Sequence, residues 1–284
     1  MSIKIGATSY VFRYLLADVA RAPRIADLLA VARDAGLERL QVCENARPLE
    51  SSCSEWESLR TRSDGLGLDI TLGSMTTDLQ VVAQYLDRVE AIGGSQLRIV
   101  LEREGGGRIS RGEVHEFLSR VVPHLERRGV RLAIENHFDI PCRILAEAVA
   151  EYPKEAVGFC LDVANSLRNF EDLDTVFDLL GSRALMYHLK DYRLTGSNVG
   201  FAVTGTPFGE GQIERRKLLQ RIFEHTETPE MYLETWTPQT GDWETDVASD
   251  ARFVAASVRN LKKELATHLP QLHSRQVITN EEAD

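Results

Sequence analysis

The 284 residues carry 33 lysines and arginines against 43 aspartates and glutamates, a formal net charge of −10, with 43% hydrophobic side chains. That balance offers no basic face of the kind nucleic-acid binding demands, and the arginines at 120, 127, 128 and 131 are interrupted by acidic and apolar residues, as on a solvated helix. The length suffices for a large core, so no disulfide or metal is needed merely to hold a fold.

In chain order, Ile3–Ser9 reads as a first strand. Ile25, Leu28, Leu29 and Ala32 then recur at helical spacing and stop at Gly36. Arg39–Cys43 and Leu68–Gly73 are the next strands, and Leu79, Val82, Ala83, Leu86 and Val89 mark a helix closing near Gly93 and Gly94. Gln96–Leu101 is a fourth strand, interrupted by Arg98, which is expected to form an ion pair inside the fold. Ser110 and Glu113 have capping-box spacing, and Val114, Phe117, Leu118, Val121, Val122 and Leu125 line one helical face behind them. Four more strands follow: Arg131–Glu135, Val157–Asp162, Ala184–Lys190 and Met231–Glu234.

The segment Arg193–Gln212, with glycines at 196, 200, 205, 209 and 211, reads as a long loop. Loops of that length in a compact domain are usually functional or disordered. It is expected to act as a lid or substrate wall, with Phe208 and Glu210 at its working end. The last helix is expected to stop near Leu269, giving a catalytic domain over 1–269 and a polar C-terminal tail over 270–284.

Strict alternation of eight strands with helices predicts parallel pairing through helical crossovers. An α/β fold closed as a single-domain (β/α)8 TIM barrel leaves no strand edge unpaired. No GxGxxG follows the first strand, which lowers the dinucleotide-binding alternative. The four cysteines, Cys43, Cys53, Cys142 and Cys160, show no CxxC pair and fit reduced thiols. The N-terminus lacks a signal core, and no apolar run nears the roughly 18 residues of a membrane span. A cytoplasmic protein without a membrane partner is expected.

In such a barrel the side chains at the C-terminal strand ends converge on one rim. Strands five to eight end in Glu135, Asp162, His188 and Glu234. The first three lie 27 and 26 residues apart, about one strand–helix unit each. A carboxylate at the end of an apolar strand is costly unless paired, protonated or metal-bound. Three of them with an imidazole predict one divalent cation, and the set does not choose among manganese, magnesium, cobalt and zinc.

With Ile134-Glu135-Asn136-His137, Leu161-Asp162, Asn165, His188, Lys190-Asp191, Pro207–Gly211 and Leu233-Glu234 in view, the chain resembles the xylose-isomerase-like barrels. That superfamily holds sugar isomerases and epimerases, dehydratases, oxo-sugar-acid decarboxylases and apurinic-site endonucleases. Ser9-Tyr10 and Gln41–Asn45 look like its substrate-facing ends of strands one and two. The resemblance implies a Glu-Asp-His-Glu metal site on Glu135, Asp162, His188 and Glu234. It also implies acid–base roles for Glu135 and Glu234, as in the related epimerases. Two departures matter. Asn165 stands where the ketose 3-epimerases and endonucleases typically have a histidine, and the first histidine here is His115, inside a helix. DNA repair is thereby excluded.

The expected chemistry is proton abstraction beside a carbonyl, with the cation stabilising an enediolate. The leading expectation is an isomerase or epimerase of a small unphosphorylated keto sugar, sugar acid or cyclitol, since the loop after strand eight has no anion cradle. The alternative is a lyase or decarboxylase of a 3-oxo sugar acid, such as 3-oxo-isoapionate, through the same intermediate, and another is a noncatalytic sugar-binding barrel. Lys190 is a candidate catalytic residue that binds a substrate carboxylate or supplies a proton, or else simply pairs with Asp191 or Glu210. Tyr10, Glu44, Asn45, His137, Asn165, Glu210 and Trp236 are candidate substrate-binding residues. The partner is a small carbohydrate, and the sequence leaves room for a homo-oligomer.

Overall fold

The structure, a computed structural model, describes residues 3–103 and 106–281, with side chains described through residue 268. The barrel strands are β1 (Ile5–Thr8), β2 (Arg39–Val42), β3 (Asp69–Met75), β4 (Gln96–Val100), β5 (Arg131–Glu135), β6 (Val157–Asp162), β7 (Ala184–Leu189) and, eighth in the barrel, β10 (Met231–Leu233). They close in that order, β10 pairing with both β7 and β1, all parallel. The expected eight-stranded TIM barrel is therefore what forms. Its strands are buried almost throughout, as parallel strands covered by helices must be.

The α-helices are α1 (Arg13–Ala17), α2 (Ile25–Asp34), α3 (Cys53–Leu66), α4 (Leu79–Ala91), α5 (Arg111–Arg128), α6 (Cys142–Val149), α7 (Leu173–Leu180), α8 (Arg215–His225) and α9 (Trp243–Glu281). Helix α5 shows how sequence sets its limits. Ser110 Oγ accepts from the Glu113 amide at 3.3 Å and Glu113 Oε2 accepts from the Ser110 amide at 2.9 Å, so the first orphan amides are satisfied. Gly129 closes the helix with φ 63°. The six apolar positions read from the sequence are the buried ones, so this face packs on the barrel. Helix α9 continues through Leu269, where the last helix was expected to end. The expected tail over 270–284 falls on residues whose side chains, and from 282 whose backbone too, lie outside the described ones. The cysteines are free thiols, three of them buried. No described helix is long and apolar enough to cross a membrane.

The segment after β7 differs from expectation. Instead of a loop it forms an antiparallel hairpin, β8 (Asp191–Ser197) and β9 (Gly200–Thr206), in register Leu194↔Val203 and Gly196↔Phe201. Apolar residues alternate with polar ones from Asp191 to Thr195, which is a strand period, but Ala202 between Phe201 and Val203 and the interspersed glycines mask it in the rest. The following turn is anchored rather than free. Asp191 Oδ2 accepts from the amides of Gly209 and Gly211 at 3.0 Å each, and its Oδ1 accepts from Ile213 at 3.1 Å and Tyr192 at 2.9 Å. A Cβ on Gly211 would lie 2.1 Å from Asp191 Oδ1, so only glycine fits there. Phe208, expected at the working end of a lid, is 1% exposed within the main hydrophobic core. Its apolar ring gains more from the core than from water.

Candidate metal centre and active site

The barrel brings the four predicted ligands together. Asp162 pairs in register with His188, His188 with Tyr232, and Glu135 with Cys160. Residues one step past a strand end, such as Glu234, then point over the same rim. One potential ligand atom from each of Glu135, Asp162, His188 and Glu234 lies within 4.8 Å of the other three, and all four residues are buried.

His188 supplies the observation that bears on a metal. The Gln41 amide nitrogen lies 3.2 Å from Met186 Sδ, which turns its oxygen toward His188 Nε2 at 3.1 Å. In the neutral ring this contact holds the proton on Nε2 and leaves a lone pair on Nδ1. That buried nitrogen has no hydrogen-bond partner and lies 3.3 Å from Glu135 Oε2 and 3.4 Å from Glu234 Oε2. Three electron-rich atoms turned on one another call for a cation between them, and a nitrogen with carboxylate oxygens suits a borderline or hard divalent ion. The residues present fit such an ion.

Two permanent cations complete the cluster. Arg98, 2% exposed, places Nε 2.5 Å from Glu135 Oε2, with Nη1 3.9 Å from Glu44 Oε2, so the ion pair expected for it inside the barrel is present. Lys190, also 2% exposed, lies 2.8 Å from Asp162 Oδ2, 2.8 Å from Glu234 Oε1 and 2.9 Å from Asn165 Oδ1. Pairing with Asp191 or Glu210, weighed from the sequence, is not what occurs. Asn165 is a two-ended spacer: it accepts from Lys190 and donates through Nδ2 to Glu135 Oε1 at 2.9 Å. A histidine there could not offer an amide's carbonyl and NH2 from one planar group.

These charges set the protonation states. Burial opposes ionisation of Glu135, but Arg98, then His188 when a proton rather than an ion sits on its Nδ1, and Lys190 outweigh it and hold its carboxyl well below the usual range. Burial likewise opposes Glu234, yet Lys190 and His188 hold it down to about 2. Burial pushes the Asp162 carboxyl up, although Lys190 draws it down. Lys190 remains an ammonium: burial works against its charge, and Asp162, Glu234 and Glu135 together raise its pKa. Glu135, Asp162, Glu234 and, beside Arg98, Glu44 thus face two fixed cations, and a bound divalent ion would bring the set to neutrality.

The other sequence candidates spread around this centre. Tyr10 Oη donates to Glu44 Oε1 at 2.6 Å, both half-buried, and burial raises the phenol pKa. Asn45 Nδ2 donates to the Ser9 carbonyl at 3.2 Å. His137 is half-buried against Phe138, with ring centroids 4.4 Å apart, and burial lowers its pKa. The Trp236 ring lies 5.0 Å from Lys190 Nζ. Glu210 is exposed, outside the hydrogen bonds and ion pairs of the cluster. Thr8 was missed as part of the site, and Gln41, read only as the start of a substrate-facing segment, also contacts His188. Thr8 Oγ1 donates to Glu234 Oε2 at 3.0 Å. The available signal was a polar residue inside an apolar strand, which Gln41 displays as plainly as Arg98.

The profile of the xylose isomerase-like TIM barrel family matches residues 29–257. The chain is 25% identical over 269 residues to the 3-oxo-isoapionate decarboxylase of Pectobacterium atrosepticum, covering 94% of this chain and 96% of that one. Among solved structures, an L-ribulose 3-epimerase matches with a TM-score of 0.72 at 13% identity, over 96% of this chain and 97% of its own. A xylose isomerase-like TIM barrel protein from Mycobacterium smegmatis in complex with magnesium gives 0.67 at 14%, over 91% and 98%. At these identities the two structural likenesses establish the fold.

Proposed function

The chain belongs to the xylose isomerase-like TIM-barrel family, and on that footing we propose that it is a divalent-metal-dependent decarboxylase of a 3-oxo sugar acid. Glu135, Asp162, His188 and Glu234 would hold the ion. One observation carries the reading. Each carboxylate oxygen of the two glutamates is already engaged: Glu135 by Asn165 and Arg98, Glu234 by Lys190 and Thr8. Neither glutamate is thereby left as a free base to remove a carbon-bound proton, while Lys190 holds a proton at the centre. Loss of carbon dioxide needs no base, only a proton donor afterwards. The near full-length similarity to a decarboxylase supports the same choice.

When bound, the divalent ion would supply Lewis acidity at the substrate's 3-oxo oxygen. The remaining work falls to side chains. The bond between C1 and C2 breaks, carbon dioxide leaves, and the electron pair becomes the enediolate spanning C2 and C3. Arg98 and Lys190 offset the negative charge in a nearly water-free rim. Lys190 Nζ then gives its proton to C2 and regains one from solvent, yielding a ketone. Asp162, Glu234 and Asn165 aim the ammonium, and Trp236 covers it. Tyr10, Glu44, Asn45 and His137 would bind the substrate hydroxyls.

A second reading remains, the isomerase or epimerase. It is favoured by one feature, that Glu135 and Glu234 reach His188 Nδ1 at 3.3 and 3.4 Å from two different strand ends. A noncatalytic sugar-binding barrel has less to recommend it, since keeping three carboxylates buried is costly without a task for them. The test is release of carbon dioxide from a 3-oxo sugar acid, lost on chelation and restored by added manganese or magnesium. Unchanged release after complete chelation would remove the metal from the account, and no release from any 3-oxo sugar acid would remove the decarboxylase.

A further inference from the structure

Beside the metal centre lies a groove of about 670 Å³, whose apolar lining includes Phe138, Phe170, Leu194, Phe201, Val203 and Trp236, with Arg168, Glu171 and Asp172 also on its wall. That volume lies within the roughly 300–1,000 Å³ of small-molecule sites. Its floor includes Asn165, the residue that bridges Lys190 and Glu135, and its inner wall includes Trp236, whose ring lies 5.0 Å from Lys190 Nζ. The groove and the candidate catalytic centre thus share Asn165 and Trp236 as a common wall.

Its outer wall is the hairpin. The β8–β9 register puts Leu194, Val203 and Phe201 on one strand face, with Arg193, Thr195, Ala202 and Thr204 on the other. The base of that face rests on Trp236: a Cβ on Gly205 would lie 2.1 Å from the Trp236 carbonyl oxygen. Further out the face is left to solvent, with Phe201 65% and Leu194 43% exposed. On the opposite lip Phe170 is 89% exposed and has φ 59°, a conformation bulky residues rarely adopt. Phe170 takes this conformation because it closes the 3-10 turn Asn165–Asn169, and the aromatic ring so held in water is what marks it for contact with a ligand.

A small polyhydroxylated acid would leave this apolar trough unused. We propose that the substrate is an oxo-sugar conjugate, its sugar end at Lys190 and the metal ligands and an aromatic or alkyl substituent in the groove. This deepens the proposed function and rests on it for the identity of the sugar end. A concave trough one residue's thickness from the reacting groups suits an extension of the same molecule. A second barrel would need a broad, flat surface of about 800 Å².

The test reads binding without turnover, so it is separable from carbon dioxide release. Calorimetry on the metal-loaded protein compares phenyl β-D-glucuronide with methyl β-D-glucuronide, sugar acids whose carboxylate lies at the end opposite the substituent. The phenyl compound is expected to bind at least about tenfold tighter, the gain from burying one ring. Phe201→Ser and Phe170→Ser, both at exposed positions, should cut that advantage below about threefold without moving the thermal midpoint. Equal affinities, no measurable heat with the phenyl compound, or an advantage that survives both substitutions overturns the proposal. So does light scattering that finds an oligomer which Phe201→Ser dissociates, because the face would then be covered by a second copy.

Discussion

His188 Nε2 lies 3.1 Å from Gln41 Oε1, across the barrel from β7 to β2, and this contact leaves the Nδ1 lone pair facing Glu135 and Glu234. Orienting partners of this kind typically contribute 10–100-fold to metal affinity. Gln41→Leu, which removes the acceptor while keeping the bulk, should therefore weaken manganese binding by about that factor, measured by calorimetry on chelated protein. Unaltered affinity would show that His188 needs no such orientation.

Asp191, 2% exposed, accepts four backbone hydrogen bonds, from Tyr192, Gly209, Gly211 and Ile213. Asp191→Ala would orphan these amides, three of them in the turn after the hairpin. A loss of about 2–4 kcal/mol in chemical denaturation is expected. A loss below about 0.5 kcal/mol would return the segment to the mobile lid that its glycines suggest.

Burial pushes the Asp250 carboxyl up to about 6, against the pull of the Tyr14 amide, Thr237 and Arg13, with Asp246 adding to the rise. A folded pKa above the ordinary 3.8 means that the ionised form is the disfavoured one. Its cost to stability is fully present above pH 6 and fades as pH falls through 6 toward 4. Asp250→Asn should therefore be more stable than the native protein at pH 7.5, by about 2 kcal/mol, and lose that advantage by pH 4. Parallel stability curves for the two proteins across this range would contradict the assignment.

The barrel was legible because strand and helix periods alternate without interruption, and parallel strands buried on both faces read as apolar runs. The metal-ligand candidates were legible for a related reason, since Glu135, Asp162, His188 and Glu234 each break an apolar run at its end. What those side chains touch could not be read the same way. Lys190 sits next to Asp191 in sequence, yet the backbone turns the two apart, one to Asp162 and Glu234, the other to the amides of the turn. The hairpin was hidden because Gly196, Gly200 and Gly205 dilute a strand pattern. Glycine signals both a loop and a close backbone approach, and at Gly205 the neighbour that decides between them, Trp236, is 31 residues away.

The central claim is that Lys190 delivers a proton to an enediolate formed by loss of carbon dioxide. The direct measurement is carbon-13 NMR of a C1-labelled 3-oxo sugar acid with the metal-loaded protein in heavy water. The account predicts that the label leaves as carbon dioxide and bicarbonate while one deuteron enters at C2. With Lys190→Gln, deuteration should slow about 10² to 10⁴-fold, the usual worth of a positioned acid. A substrate that keeps its labelled carboxylate while exchanging a carbon-bound hydrogen would contradict the account and establish the epimerase reading in its place.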